Sequence, residues 1–435
     1  MLDLLLLMPR WIPSCASRPR TRLSAVVAVV AGFAALSGWP FTARALSETR
    51  ALWVLRPSLL TAERIAAVVG TAREAGFNTL LVQVRARGDA MFPGGLEPVA
   101  ADLLGEGVDF DPLAEMLRQA RPAGLAVHAW INVNLVSSAA QFPVARNHIV
   151  YRHPDWLMVP RDLARELATA DPRNPAYLGK IARWTRAHPR EIEGLYASPL
   201  HPAAVDHVVA VVRDLVTRYE VDGIQFDYVR YPNLEFDYSA AALDGFRDEM
   251  RTDLSTDVRG RLDALMVDDP LVYPDAFPDA WTRFRHSRLT GLMMRLRTAV
   301  KQVRASVVVS ATLVADLADA TDRRLQDWST WLEAGLLDVA CPLAYTTDPA
   351  TFSNQVTVAR GIPGPHALWI GIGSYRLTVP RTLENIFAAR QDGVDGIALF
   401  SYDTLAPEVH DQPDYLLQVG RSAFRAADGP PAGGH

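Results

Sequence analysis

The segment Val221-Asp-Gly-Ile-Gln-Phe-Asp-Tyr-Val-Arg-Tyr-Pro232 puts a carboxylate where it could do chemistry. In an extended run alternate side chains share a face, so Gln225 and Asp227 point one way and Ile224, Phe226 and Tyr228 the other. If the apolar set packs on helices, Asp227 faces the opposite side at the strand's carboxyl end. A carboxylate there suits a nucleophile or charge stabiliser at the anomeric carbon of a sugar. The competing reading is a structural Asp paired with Arg230. An acid is costly to bury without a partner or a purpose, which favours the functional reading.

Glycoside hydrolysis needs a second carboxyl group, about 5–5.5 Å away for retention or about 6.5–9.5 Å for inversion. The candidates follow neighbouring β-rich runs: Asp348 in Tyr345-Thr-Thr-Asp-Pro, Asp403 in Ser401-Tyr-Asp, and Glu235 and Asp237 in a long loop. The preferred pair is Asp227 as nucleophile and Asp348 as acid/base, with Asp403 in reserve. Asp348 precedes Pro349 and reads equally well as a helix N-cap.

Gln83 and Arg85 should share a face, and Arg85 could keep Asp227 ionised or hold an acidic substituent in a bidentate contact. Its structural alternative is a salt bridge with Asp89. His128, Trp130 and Asn132 alternate onto one face with Asn134 just beyond. The two asparagines suit sugar hydroxyls and acetamido groups. Trp130 reads as a sugar platform or a core residue, and His128 as core. Arg230, Tyr345, Tyr375 and Tyr402 complete the candidate binding set, the tyrosines at the ends of three successive strands. The two cysteines, Cys15 and Cys341, cannot build a zinc cluster, and no His-Glu-x-x-His occurs. No Gly-x-Ser-x-Gly elbow points to an esterase. We therefore expect neither metal nor cofactor.

The elements that must position these residues alternate along the chain. Strands are expected at 51–56, 78–84, 125–133, 223–228, 306–312, 337–345, 367–373 and 396–401, with helices at 62–74, 111–123, 203–219, 280–304, 324–334 and 381–392. Eight strands alternating with helices indicate a parallel sheet, and at eight repeats a closed (β/α)8 TIM barrel is the natural form. No Gly-x-Gly-x-x-Gly follows the first strand, which disfavours an open dinucleotide-binding sheet. Long insertions at 85–110, 134–202 and 229–279 follow strands two, three and four, on the face where barrels build their sites. Their aromatics, Phe92, Trp156, Tyr177, Trp184, Tyr196, Phe236, Tyr238 and Tyr273, read as one wall of an elongated cleft.

The 435 residues carry a formal charge of −5 and are 49% hydrophobic, which excludes a disordered chain and gives no basic excess for nucleic acid. Arg18, Arg20 and Arg22, an apolar run from Leu23 to Leu36, and Ala43-Arg44-Ala45 follow the order of a signal peptide. The run is short for the roughly 20 residues of a membrane span. We expect a signal peptide at 1–45, a barrel domain at 46–425 with no membrane span of its own, and a disordered tail at 426–435. The product would be periplasmic or extracellular. Without residues 1–45 the formal charge becomes −9. Nothing in the sequence points to an oligomeric state.

Six segments occur in order: Arg50-Ala-Leu-Trp-Val, Asn78-Thr-Leu-Leu-Val-Gln-Val-Arg-Ala-Arg-Gly-Asp-Ala, Gly124-Leu-Ala-Val-His-Ala-Trp-Ile-Asn-Val-Asn, His153-Pro-Asp-Trp, Pro199-Leu-His-Pro-Ala-Ala-Val, and the Asp222–Pro232 stretch. Together they resemble the family-10-like glycosyl hydrolases, mostly exported bacterial (β/α)8 proteins, over residues 50–405. The resemblance implies a glycosidase acting on a cell-envelope glycan, with peptidoglycan strands as the substrate. Asp222-Gly-Ile-Gln-Phe-Asp also resembles the Asp-Gly-x-Asp-x-Asp-x-Glu motif of chitinases. Gln225 and Val229 depart from it, so the chitinase acid is missing here and the proton donor must lie elsewhere. The alternative is a carbohydrate-binding barrel without catalysis.

Overall fold

This computed structural model describes residues 48–104, 110–406, 412 and 414–424. The expected signal peptide and tail lie outside the described residues. Eight parallel strands close into a barrel: β1 (Thr49–Val54), β2 (Thr79–Arg85), β3 (Ala126–Asn132), β4 (Gly223–Asp227), β5 (Val308–Val314), β6 (Val339–Leu343), β7 (Ala367–Ile372) and β8 (Gly396–Leu399). Each pairs with its sequence neighbours in the barrel, and β8 pairs with β1. Both faces of such strands are covered, which is why β2, TLLVQVR, is buried along its whole length.

The expected elements form with shifted ends. Ala62–Glu74 is helical, capped by the Thr61 side chain accepting from the Arg64 N–H at 3.3 Å. The chain leaves it through Gly76 at φ +81, where a side chain would be strained. The helix expected at 324–334 is confined to Trp328–Glu333, because the Asp327 side chain caps it.

The outward strand residues, among them Leu80, Val82, Ile224, Phe226, Ile370 and Leu399, join the helices in the main core. Inside the barrel, Ala51, Trp53, Leu81, Trp130, Cys341 and Trp369 form a second cluster. Glycines make room for its large rings. A Cβ on Gly223 would lie 2.4 Å from the His128 ring, and one on Gly396 would lie 2.6 Å from Trp369. The His128 and Trp369 rings, 5.5 Å apart, close the floor below the site. His128 is thus core, as its position implied, but its Nδ1 has no hydrogen-bond partner. Burial lowers its pKa from 6.5 to about 4. The unfolded chain binds this proton more readily, so stability is retained above about pH 6.5 and is lost as pH falls toward 4. Thermal unfolding across this range should show a decline that His128→Leu flattens.

The insertions carry cores of their own. After β3, Leu135–Ser137 pairs antiparallel with Leu195–Tyr196, over a cluster that includes Val136, Trp156, Tyr177 and Ile181. After β4, Tyr238, Phe246, Tyr273, Trp281 and Phe284 form another. This corrects the cleft-wall reading of the insertion aromatics. Phe92, Trp156, Tyr177, Tyr196, Phe236, Tyr238 and Tyr273 are all buried. A large ring contributes most where its whole surface leaves water, and insertions of this length need such anchors. Among the described residues, no helix is long and apolar enough to cross a membrane.

Candidate active site

At the carboxyl end of the barrel a cleft of about 310 Å³ opens over the interior cluster. Register aligns its polar floor: Trp130 and Asn132 of β3 lie beside Gln225 and Asp227 of β4, and Gln225 lies beside Ser310 of β5. Asp227 faces inward, as alternation required, and lines the cleft.

Its carboxylate is closely held. Oδ1 accepts from the Tyr228 N–H at 2.7 Å and from the Thr312 hydroxyl, and Oδ2 accepts from the Trp130 indole N–H at 3.1 Å. Donors of this kind stabilise a charged carboxylate and fix its plane. One layer below, the Trp53 indole donates to Gln225 Oε1 at 2.6 Å, which settles Trp53 beneath the cleft. Tyr228 takes a left-handed φ of +55, a turn that L-residues seldom make. Beyond it Arg230 lies with its guanidinium 4.2 Å from the Tyr228 ring centre, 3.7 Å from Asp227 Oδ1 and 3.3 Å from Glu193 Oε1. The pairing of Asp227 with Arg230 and the placement of Asp227 in the cleft therefore coexist.

Several expected residues meet here. Gln83, Asn132, Arg230 and Tyr345 line the cleft with Asp227. Asn132 donates through Nδ2 to the Ala86 carbonyl at 2.9 Å, while its buried Oδ1 has no partner. Tyr375 is 41% exposed and stands edge-on to Tyr345 and to Phe400, with ring centres at 6.2 and 6.0 Å. These three rings make an aromatic shelf beside the cleft.

Other expectations are corrected. Arg85 does not share a face with Gln83: the β2–β3 register slips between them, a bulge that turns Arg85 out of the barrel. Its partner is Glu97 rather than Asp89, at 2.6 and 2.7 Å, and it also donates to the carbonyls of Asn132 and Val133. Burial alone would raise the Glu97 pKa, but Arg85 and a 3.1 Å contact from His207 hold it at about 2. Arg85 is thus a buried strut under the β3 end. Asn134 also leaves the cleft. It borders a small internal cavity with Arg85 and Trp156, and its Nδ2 is unpartnered.

Asp348 is an exposed N-cap of helix Pro349–Gly361, accepting from the Thr351 N–H and hydroxyl at 2.7 Å each. Those bonds lower its pKa, the wrong direction for a proton donor, and it does not line the cleft. Asp403 accepts from the Leu55 N–H and the Ser58 hydroxyl at 2.7 Å each. Burial raises its pKa against these donors, but it too lies outside the cleft lining. It fixes the turn after β1, whose Leu55 and Arg56 do line the cleft. Tyr402 starts a short helix and packs into the outer core. Phe400, two residues earlier, takes the inward position.

Thr312, Trp53, Arg56, Arg87 and Phe400 are site residues that sequence reasoning missed. Thr312 had a signal: Ser310 and Thr312 alternate with Val309, Ala311 and Leu313, marking one polar inward face on β5. Among the described residues, Asp227 is the one carboxylate lining the cleft, and no cluster of three His, Cys, Asp or Glu is disposed to hold a metal ion.

Comparison with known proteins places this geometry. The glycosyl hydrolase-like 10 family matches residues 48–388. Glycosyl hydrolase DigH of Escherichia coli K12 is 25% identical over 332 residues, 71% of this chain and 65% of DigH, so the chain spans just under two thirds of that relative's length. Glycosyl hydrolase YngK of Bacillus subtilis is 25% identical over 212 residues, 44% of this chain and 36% of YngK. Among solved structures, the glycoside hydrolase domain of PgaB (BpsB) from Bordetella bronchiseptica superposes with a TM-score of 0.57 at 16% identity, over 86% of this chain and 98% of that one. A β-galactosidase from Bacillus circulans sp. alkalophilus gives 0.57 at 12% identity, over 86% and 55%. At such identities these structures establish the shared barrel fold.

Proposed function

Because the chain belongs to the glycosyl hydrolase-like 10 family, we propose that it is an exported glycoside hydrolase of the bacterial cell envelope, acting on N-acetylated glycan strands of the peptidoglycan type. The observation that carries this reading is Asp227, aligned by Thr312, Trp130 and the Tyr228 N–H at the floor of the cleft. Oriented by three donors at the cleft floor, its carboxylate is placed to stabilise or attack an anomeric centre. Asn132, which lines the cleft, carries an amide of the kind that bonds acetamido groups and sugar hydroxyls. Gln83 offers a further amide. Export rests on the basic, apolar and small-residue order of residues 1–45.

Incubation of the purified chain with isolated peptidoglycan tests the reading: new reducing ends and soluble fragments are expected. A glycan-binding barrel without catalysis is the second reading, favoured by the single carboxylate that lines the cleft among the described residues. It predicts retention on peptidoglycan with no fragments released. The shelf gives a separate test. Tyr375→Ala should raise KM for long strands roughly 2- to 10-fold with kcat little changed, the size expected for one aromatic contact. An unaltered KM would remove the shelf from the binding path.

A further inference from the structure

We propose that Arg87 is a specificity residue that recognises a carboxylate carried by the glycan. This rests on the hydrolase reading above and adds the charge of the substrate and the residue that reads it. The cleft lining reverses the sign of the chain. Arg56, Arg87 and Arg230 line it against one acid, Asp227, in a protein of net charge −5. Two of the three cations are compensated. Arg56 is bound to Asp89 at 2.8 Å and lies 3.7 Å from Asp102, and Arg230 lies between Glu193 and Asp227. Arg87 is exposed and has no carboxylate partner among the described residues.

Its backbone, by contrast, is fixed on both sides. The Arg87 N–H donates to Asp89 Oδ1 at 3.0 Å, and its carbonyl contacts His148 Nε2 at 2.8 Å. Gly88 follows at φ +68, where a Cβ would come 2.9 Å from that same imidazole, so the loop is seated tightly on His148. A rigid base with an uncommitted guanidinium is pre-organised to bind an anion, and the planar fork matches a carboxylate bidentately. The cation beside Asp227 is Arg230, at 3.7 Å, and not Arg87. The cleft thus offers two amides for an N-acetyl group, on Asn132 and Gln83, and on the β2 side a cation for an acid borne by the sugar.

The test measures kcat/KM on peptide-free peptidoglycan strands, whose lactyl groups end in carboxylates, and on the same strands after those carboxylates are amidated. Binding of both, and of a polyuronate, is measured in parallel. Wild type should prefer the charged strands by about 2- to 5-fold, the range for one exposed ion pair, and added salt should shrink the preference. Arg87→Gln should bring the ratio close to one. Loss of rate by Arg87→Gln to the same extent on charged and amidated strands, or a wild type indifferent to amidation, would overturn the assignment. If no strand is cleaved, the hydrolase reading fails and the binding ratio decides the role of Arg87 by the same criterion. Preference for the polyuronate over the lactyl strands would keep Arg87 as the carboxylate reader and place the acid on a uronic sugar.

Discussion

Asp227→Asn is expected to lower kcat on peptidoglycan strands by about a thousandfold or more while leaving strand binding and the folded state in place. An amide keeps the volume of the side chain, and its one oxygen in the Oδ1 place still accepts from Thr312 and the Tyr228 N–H, though its NH2 then faces the Trp130 indole N–H. Above all it loses the negative charge that an oxocarbenium-like transition state needs. Removal of one pre-organised electrostatic group costs on the order of 10²–10³ in kcat, and the loss is larger where the group also attacks the sugar carbon. Because Arg230 lies 3.7 Å from Asp227, neutralising the acid leaves that guanidinium facing Glu193 alone, so its position should shift in the variant. Release of reducing ends, with binding followed separately by sedimentation with the insoluble polymer, distinguishes lost chemistry from lost affinity.

Glu97→Gln should destabilise the fold by about 3–5 kcal/mol, the cost of leaving a buried cation without its anion. Arg85 and Glu97 are both buried, and the pair holds the ends of β2 and β3 together through the Asn132 and Val133 carbonyls. Replacing both partners, Arg85→Met with Glu97→Leu, should recover much of that loss, since apolar packing can substitute for a buried ion pair. Denaturant unfolding reads both effects. The Glu97 carboxyl is depressed from 4.5 to about 2 in the folded state. Its contribution is therefore fully present above about pH 4.5 and disappears as pH falls toward 2. The gap between wild type and Glu97→Gln should close over that interval.

The barrel was legible because its signals are local and repeated: β-rich runs recur eight times, with helical spacing and turn residues between most of them. Asp227 was legible for the same reason, since a period of two on one short strand fixes its face. What escaped the sequence depends on contacts between segments. Arg85 was misplaced because a single slip of register after Gln83 inverts every later side chain, and a bulge has no signature in TLLVQVR. Its partner Glu97 lies twelve residues on, in an irregular loop with no period to read. Asp348 was ambiguous on its face. An acid directly before proline at a helix start is a capping signature, and local bonding prevailed. Tyr402 reads as a rim residue only if strand eight continues to it, but the strand ends at Leu399: Ala398 and Phe400 hold the inward positions, and Tyr402 already belongs to a helix. For the insertion aromatics, composition cannot separate a cleft wall from the core that supports it.

Hydrolysis in this cleft requires the reacting sugar to bind at Asp227, on the floor formed by β3, β4 and β5. A structure of the Asp227→Asn variant soaked with a peptidoglycan glycan fragment tests it most directly. The expected result is a sugar with its anomeric carbon against the side chain at position 227, its acetamido or hydroxyl hydrogen bonds at Asn132 and Gln83, and a neighbouring ring against Tyr345 and Tyr375. A fragment bound elsewhere on the barrel, with the cleft empty, would contradict it.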